Sequence, residues 1–145
     1  MSFATITACA DDNLPGTSEM VELYDAVGWS AYTQDPESLM AGLRGSLRVV
    51  TARAEGRLVG LARIVGDGAT ICYLQDVLVH PDARRQGLGG QLIQEAFAPF
   101  AAVRQHVLIT EEEPGQKAFY ESLGFEEFGE AIPGRTFVRF SWRTR

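Results

Sequence analysis

The chain has 145 residues, of which 46% are hydrophobic and 22% charged, with a formal net charge of −6. That make-up excludes disorder as the default and predicts one domain over 1–145 around one core. No apolar run approaches the roughly 20 residues that span a bilayer, and no basic segment precedes a long apolar one near Met1, so the expected location is the cytoplasm, with no membrane partner.

Net acidity without a basic stripe speaks against a nucleic-acid partner. It suits a cationic substrate, or solubility alone. His80, His106, Cys9 and Cys72 follow no metal-ligand spacing, so no metal is expected and both cysteines read as small buried hydrophobes.

The pattern from Phe3 to Cys9 predicts a strand. Thr17 or Ser18 is the expected cap of a helix through Met20, Leu23, Tyr24 and Val27, stopped at Gly28. Asp35-Pro36-Glu37 opens a second helix with Leu39, Met40 and Leu43 on one face. Leu47 to Ala54, Leu58 to Val65 and Ala69 to His80 read as three consecutive strands joined by turns at Glu55-Gly56 and Gly66-Asp67-Gly68. The third is apolar at nearly every position, as in a strand covered on both faces. A helix follows over Gly87 to Phe97, a strand over His106 to Thr110, and a short helix over Gly115 to Ser122 closed by Gly124. Phe125 to Phe128 and Thr136 to Trp142 are the expected last strands. The order predicts an α/β (α+β) fold: a mixed, mostly antiparallel sheet of about six to seven strands flanked by about four helices.

The most informative segment is Arg84-Arg85-Gln86-Gly87-Leu88-Gly89-Gly90. A strand ends, a basic loop follows, and glycines open a helix. First-turn amides lack internal partners and lie at the positive end of the helix dipole. A diphosphate can approach them where no side chain intervenes, and Arg84 and Arg85 can add charge-assisted bonds. A glycine-rich loop that merely joins strand to helix is the alternative. No Gly-Lys-Ser/Thr follows, and the glycine spacing differs from the dinucleotide fingerprint.

Arg84-x-x-Gly87-x-Gly89 resembles the coenzyme A motif of the GNAT superfamily of N-acetyltransferases. Tyr73-Leu74-Gln75-Asp76-Val77-Leu78-Val79-His80-Pro81 resembles the family's fourth strand. Ala118-Phe119-Tyr120-Glu121-Ser122-Leu123-Gly124-Phe125 is similar to its second signature. The resemblance runs over essentially the whole chain. It implies a sheet splayed between its fourth and fifth strands, with acetyl-CoA as co-substrate and an amine as acceptor; a catalytically silent acyl-CoA-binding module, or an acyltransferase using another acyl-CoA, is the alternative on the same fold. Backbone groups of Val77, Leu78 and Val79 would hold the pantetheine arm, and the amides of Arg84 to Gly90 the diphosphate.

The resemblance places Tyr120 as the acid that protonates the departing thiolate; a buried core aromatic is the alternative. Gln75 stands where polyamine-acetylating relatives carry Glu, and an amide cannot act as a base. Asp76 is the remaining candidate base, or a structural carboxylate. Neighbouring strand residues face opposite sides, so Asp76 and Gln75 should not share a site unless a bulge intervenes. The acceptor is expected from Gly28 to Asp35, where Trp29 and Tyr32 either hold a cation by their faces or anchor the loop. Glu111-Glu112-Glu113 either adds negative potential there or is a solvated turn. Phe140 and Trp142, on a terminal strand, suggest a homodimer through an open sheet edge.

Overall fold

In the structure, a computed structural model describing residues 3–141, Ile6 sits in the first strand, β1 (Thr5–Ala8). Helix α1 (Thr17–Ala26) buries Met20, Leu23 and Tyr24. Its N-cap is Gly16 rather than the expected Thr17 or Ser18, and no side chain caps it. The chain leaves past Gly28, whose φ of +83° suits glycine. A one-turn helix that was not expected, α2 (Ser30–Thr33), follows. Helix α3 (Pro36–Arg44) starts as the sequence indicates: the Ser38 amide donates to Asp35 Oδ1 at 3.2 Å, with Pro36 in the first turn.

Strands β2 (Arg48–Ala54) and β3 (Arg57–Gly66) form a hairpin. Its turn residues Glu55 and Gly56 have φ of +52° and +80°, the left-handed pair that matches strand twist. Strand β4 (Ile71–Val79) pairs antiparallel with β3. Between them Asp67 Oδ1 accepts the amides of Ala69, Thr70 and Ile71. Helix α4 (Leu88–Phe97) carries the chain back, so strand β5 (Gln105–Leu108) joins β4 in parallel. The sheet order is β1-β2-β3-β4-β5.

Helices α1 and α3 cover one face, where Met20, Leu23, Tyr24, Leu39 and Leu43 pack with Val49, Leu58, Leu61 and Leu78. Residues beside Leu61 on β3 point the other way, toward α4: a Cβ on Gly60 would lie 2.9 Å from Leu92 Cδ1. Gly60 thus lets the helix settle onto the sheet.

This mixed sheet and its helices form one compact unit, Met1–Ile109; a second unit is Thr110–Arg145. The second contains helix α5 (Gln116–Ser122), ended at Gly124 with φ +95°. Among the described residues the sheet has five strands, fewer than expected, and there are five α-helices. Phe125 to Phe128 and the described part of Thr136 to Trp142 are not strands, and only a bridge between Phe128 and Ile132 forms there. Gly129 has φ +89°, and Phe128, Phe137 and Phe140 are exposed, so their alternation has no sheet face to bury. Trp142 lies outside the described residues.

Candidate active site

The segment from β4 to α4 is shaped by two left-handed residues. After a 3-10 turn at Pro81–Ala83, Arg85 has φ +65° and Gly87 has φ +74°. Gly87 is the N-cap of α4 and has no side chain to offer as a cap. The first intrahelical bond runs from the Gln91 amide to the Gly87 carbonyl at 3.2 Å. The amides of Leu88, Gly89 and Gly90 precede it and have no acceptor within the helix. Arg84, Arg85 and Gln86 are exposed around this turn.

The left-handed φ explains Gly87, but Gly90 has no positive φ, and a Cβ there would meet nothing within 4 Å. Neither backbone geometry nor packing within the chain calls for glycine at 90. An open surface in front of free amides fits a phosphate group.

Strand β4 leads into this turn and is only half paired on its outer side. Its parallel ladder with β5 runs from Ile71↔Gln105 to Leu74↔Leu108 and stops. Gln75, Asp76, Val77, Leu78 and Val79 have no β5 partner, so the sheet splays at that point, as the family resemblance implies.

The stop coincides with an irregularity on the inner side. Asp76 pairs with Arg63 and Leu74 with Ile64, so Gln75 is an extra residue, a β-bulge. The bulge resolves the conflict between Gln75 and Asp76. Both side chains reach the α1–α2 layer: Asp76 Oδ2 accepts from Tyr24 Oη at 2.8 Å, and Gln75 Nε2 donates to Tyr32 Oη at 3.4 Å. Even burial along β4 conceals the change of face, because alternate residues stay buried throughout. Coverage of both faces was expected, yet Tyr73, Gln75, Val77 and Val79 are only half-buried.

Asp76 is held on two sides. Arg63 Nε donates to Asp76 Oδ2 at 2.6 Å, and Arg63 Nη1 also reaches the Gly42 carbonyl and Ser46 Oγ, each at 3.3 Å. Burial pulls the Arg63 pKa down, and Asp76 more than offsets it, so the guanidinium stays charged. Burial and then Asp76 push the Tyr24 and Tyr32 phenols above their ordinary value. Tyr73 is raised by burial, then by Tyr32 and Asp76. All three are neutral phenols at physiological pH.

Trp29 and Tyr32 pack around Tyr24: the Tyr24–Trp29 and Tyr24–Tyr32 ring centroids are 5.9 and 5.4 Å apart, edge to face. Both are half-buried against the core, an arrangement that anchors the segment between α1 and α3. Sequence reasoning missed Arg63 and Tyr24 here. The available signal was a lone arginine within the apolar run Leu58 to Val65, since a buried charge needs a partner.

Tyr120 belongs to the second unit. Its ring meets Phe119 at 5.0 Å and Phe125 at 6.0 Å, both edge to face. Burial raises its pKa, partly offset by a hydrogen bond with Thr110. Glu111, Glu112 and Glu113 are exposed. Among the described residues no group of His, Cys, Asp or Glu could hold a metal, and no helix is long and apolar enough to cross a membrane.

The model of the acetyltransferase (GNAT) domain matches residues 45–127, from β2 through α5. A GNAT-family acetyltransferase from Streptococcus pneumoniae is 34% identical and superposes with a TM-score of 0.79, covering 94% of this chain and 98% of that one. The chain belongs to the GNAT acetyltransferase family. The uncharacterized N-acetyltransferase ycf52 of Pyropia yezoensis is 27% identical over 120 residues, covering 80% of this chain and 68% of that protein. An aminoglycoside N-acetyltransferase solved with CoA shares the fold, with a TM-score of 0.65 at 20% identity and 97% of each chain covered.

Proposed function

We propose that this chain is an acetyl-CoA-dependent N-acetyltransferase, one functional domain over 1–145, that acylates an amine of a small molecule or protein. The observation that carries the reading is the edge of β4 from Gln75 to Val79, which has no β5 partner and runs directly into the open turn before α4. Backbone groups of Val77, Leu78 and Val79 can pair with an amide-bearing arm as a strand would. The amides of Leu88, Gly89 and Gly90, with Arg84, Arg85 and Gln86 around them, suit a diphosphate. The CoA-bound structure of the aminoglycoside N-acetyltransferase, which shares this fold, supports the same reading.

A thioester is already an activated acyl donor, so most of the rate gain comes from holding a neutral amine against it. A C–N bond forms and the C–S bond breaks. The amine loses a proton and the thiolate gains one. Tyr120 is assigned the second task, since a phenol kept neutral by burial is a suitable donor. Water takes the amine's proton, because Asp76 is buried, its side chain 2% exposed, and ion-paired with Arg63. Tyr32 and Gln75 are assigned to the acceptor side, with Trp29 anchoring the segment. A cytoplasmic location and self-association through the C-terminal segment complete the reading.

The test is direct. Acetyl-CoA should raise the melting temperature of the purified chain. Release of free CoA should then follow with at least one member of a panel of amines. No shift at saturating acetyl-CoA would refute the reading. A shift without turnover on any amine would leave an acyl-CoA-binding module instead. A sedimentation mass near 15.9 kDa would exclude the dimer.

A further inference from the structure

We infer that the buried Arg63–Asp76 pair is a positioning device: it selects the β3–β4 register, pins the bulge at Gln75, and so sets the open edge of β4. The inference rests on the proposed function only for the use of that edge. Across the ladder Arg63 stands opposite Asp76. A bulge displaced by one residue onto Asp76 would place Gln75 opposite Arg63 instead, and a one-residue slip of the whole ladder would place Gln75 or Val77 there. Neither side chain can neutralise a guanidinium, and the Arg63 side chain is only 9% exposed. An unpaired charge there is strongly disfavoured, so one register is selected.

The pin ties four elements together. Arg63 on β3 also donates to the Gly42 carbonyl of α3 and to Ser46 Oγ beyond that helix, and Asp76 on β4 also accepts from Tyr24 of α1. The consequence falls one residue away. Gln75 is the extra residue, Leu74 is the last to pair with β5, and Gln75 to Val79 are left open. Asp76 is itself buried, its side chain 2% exposed, so it acts on bound groups only through the backbone it fixes.

The test compares wild type with Arg63→Met/Asp76→Leu, which replaces the pair by apolar groups, and with Asp76→Glu, which keeps both charges on an arm one carbon longer. Readouts are melting temperature, cross-strand NOEs between positions 63 and 76 and between Ile64 and Leu74, acetyl-CoA Kd, and kcat/KM. The double variant should remain folded, because apolar replacement of a buried pair is often neutral in stability. It should nonetheless show mixed β3–β4 register, a Kd raised by about tenfold or more, and kcat/KM lowered by about 100-fold. A folded double variant with the native NOEs, Kd and kcat/KM overturns the inference. If it does not fold, Asp76→Glu decides: a raised Kd at near-native melting temperature supports the pin, and an unchanged Kd refutes it. Failure of wild type to bind acetyl-CoA would refute the proposed function, and the NOE comparison would still judge the pin.

Discussion

Arg63 and Asp76 are register partners across β3 and β4, joined at 2.6 Å with side chains 9% and 2% exposed. Removing one partner strands the other charge in the core. Asp76→Leu should therefore lose about 3–5 kcal/mol of stability, and the double variant Arg63→Met/Asp76→Leu much less. Urea denaturation of both singles and the double gives the coupling. Additive losses would mean that the two residues do not share their stability.

Gly90 yields a prediction of opposite signs. It lies in the first turn of α4 without a positive φ, and a Cβ there meets nothing within 4 Å. Gly90→Ala should stabilise the chain by up to about 0.5–1 kcal/mol, because glycine is the poorer helix former. It should also weaken acetyl-CoA binding by narrowing the approach to the amides. A variant that is more stable and binds as tightly as wild type would show that the diphosphate sits elsewhere.

Tyr120→Phe keeps the ring and its contacts with Phe119 and Phe125 and removes only the hydroxyl. If that hydroxyl supplies the proton, kcat should fall by about 10²- to 10⁴-fold. Acetyl-CoA affinity should stay nearly constant. Loss of the Thr110 hydrogen bond alone would cost about 1 kcal/mol of stability and leave turnover normal at low temperature. Steady-state rates and melting curves on one preparation separate the two.

Asp67 should make stability depend on pH. Hydrogen bonds from the Thr70 hydroxyl and from the amides of Thr70, Ala69 and Ile71 hold its carboxyl well below the usual carboxylate range. A folded-state pKa depressed in this way gives stability that is complete above the unfolded value, about 3.9, and is lost as pH falls through the folded value. The melting-temperature gap between wild type and Asp67→Ala should be constant from about pH 5 to 8 and shrink below about 4. A gap undiminished at about pH 2 would mean the turn does not need the charge.

What could be read from the sequence was local. Asp35 before Pro36, the Glu55-Gly56 turn and the run Arg84 to Gly90 each carry their signal within a few residues, and each lies where that signal indicates. The bulge was not legible, because an extra residue at Gln75 depends on which β3 residue faces Asp76, a relation between distant segments. Tyr24 looked like one more apolar position on a helix for the same reason. Phe125 to Phe128 failed in the other direction: its composition favours a strand, but a strand also needs a partner, and Gly124 and Gly129 turn the chain on either side.

The half-paired β4 also bears on handling the protein. Five residues of a central strand, Gln75 to Val79, present backbone groups with no β5 partner. Such an edge is a template for a strand from another molecule. Any ligand that occupies it works as a cap as well as a substrate. Ligand-free preparations should therefore lose soluble protein faster on concentration than those kept with CoA, through intermolecular strand pairing along Gln75 to Val79.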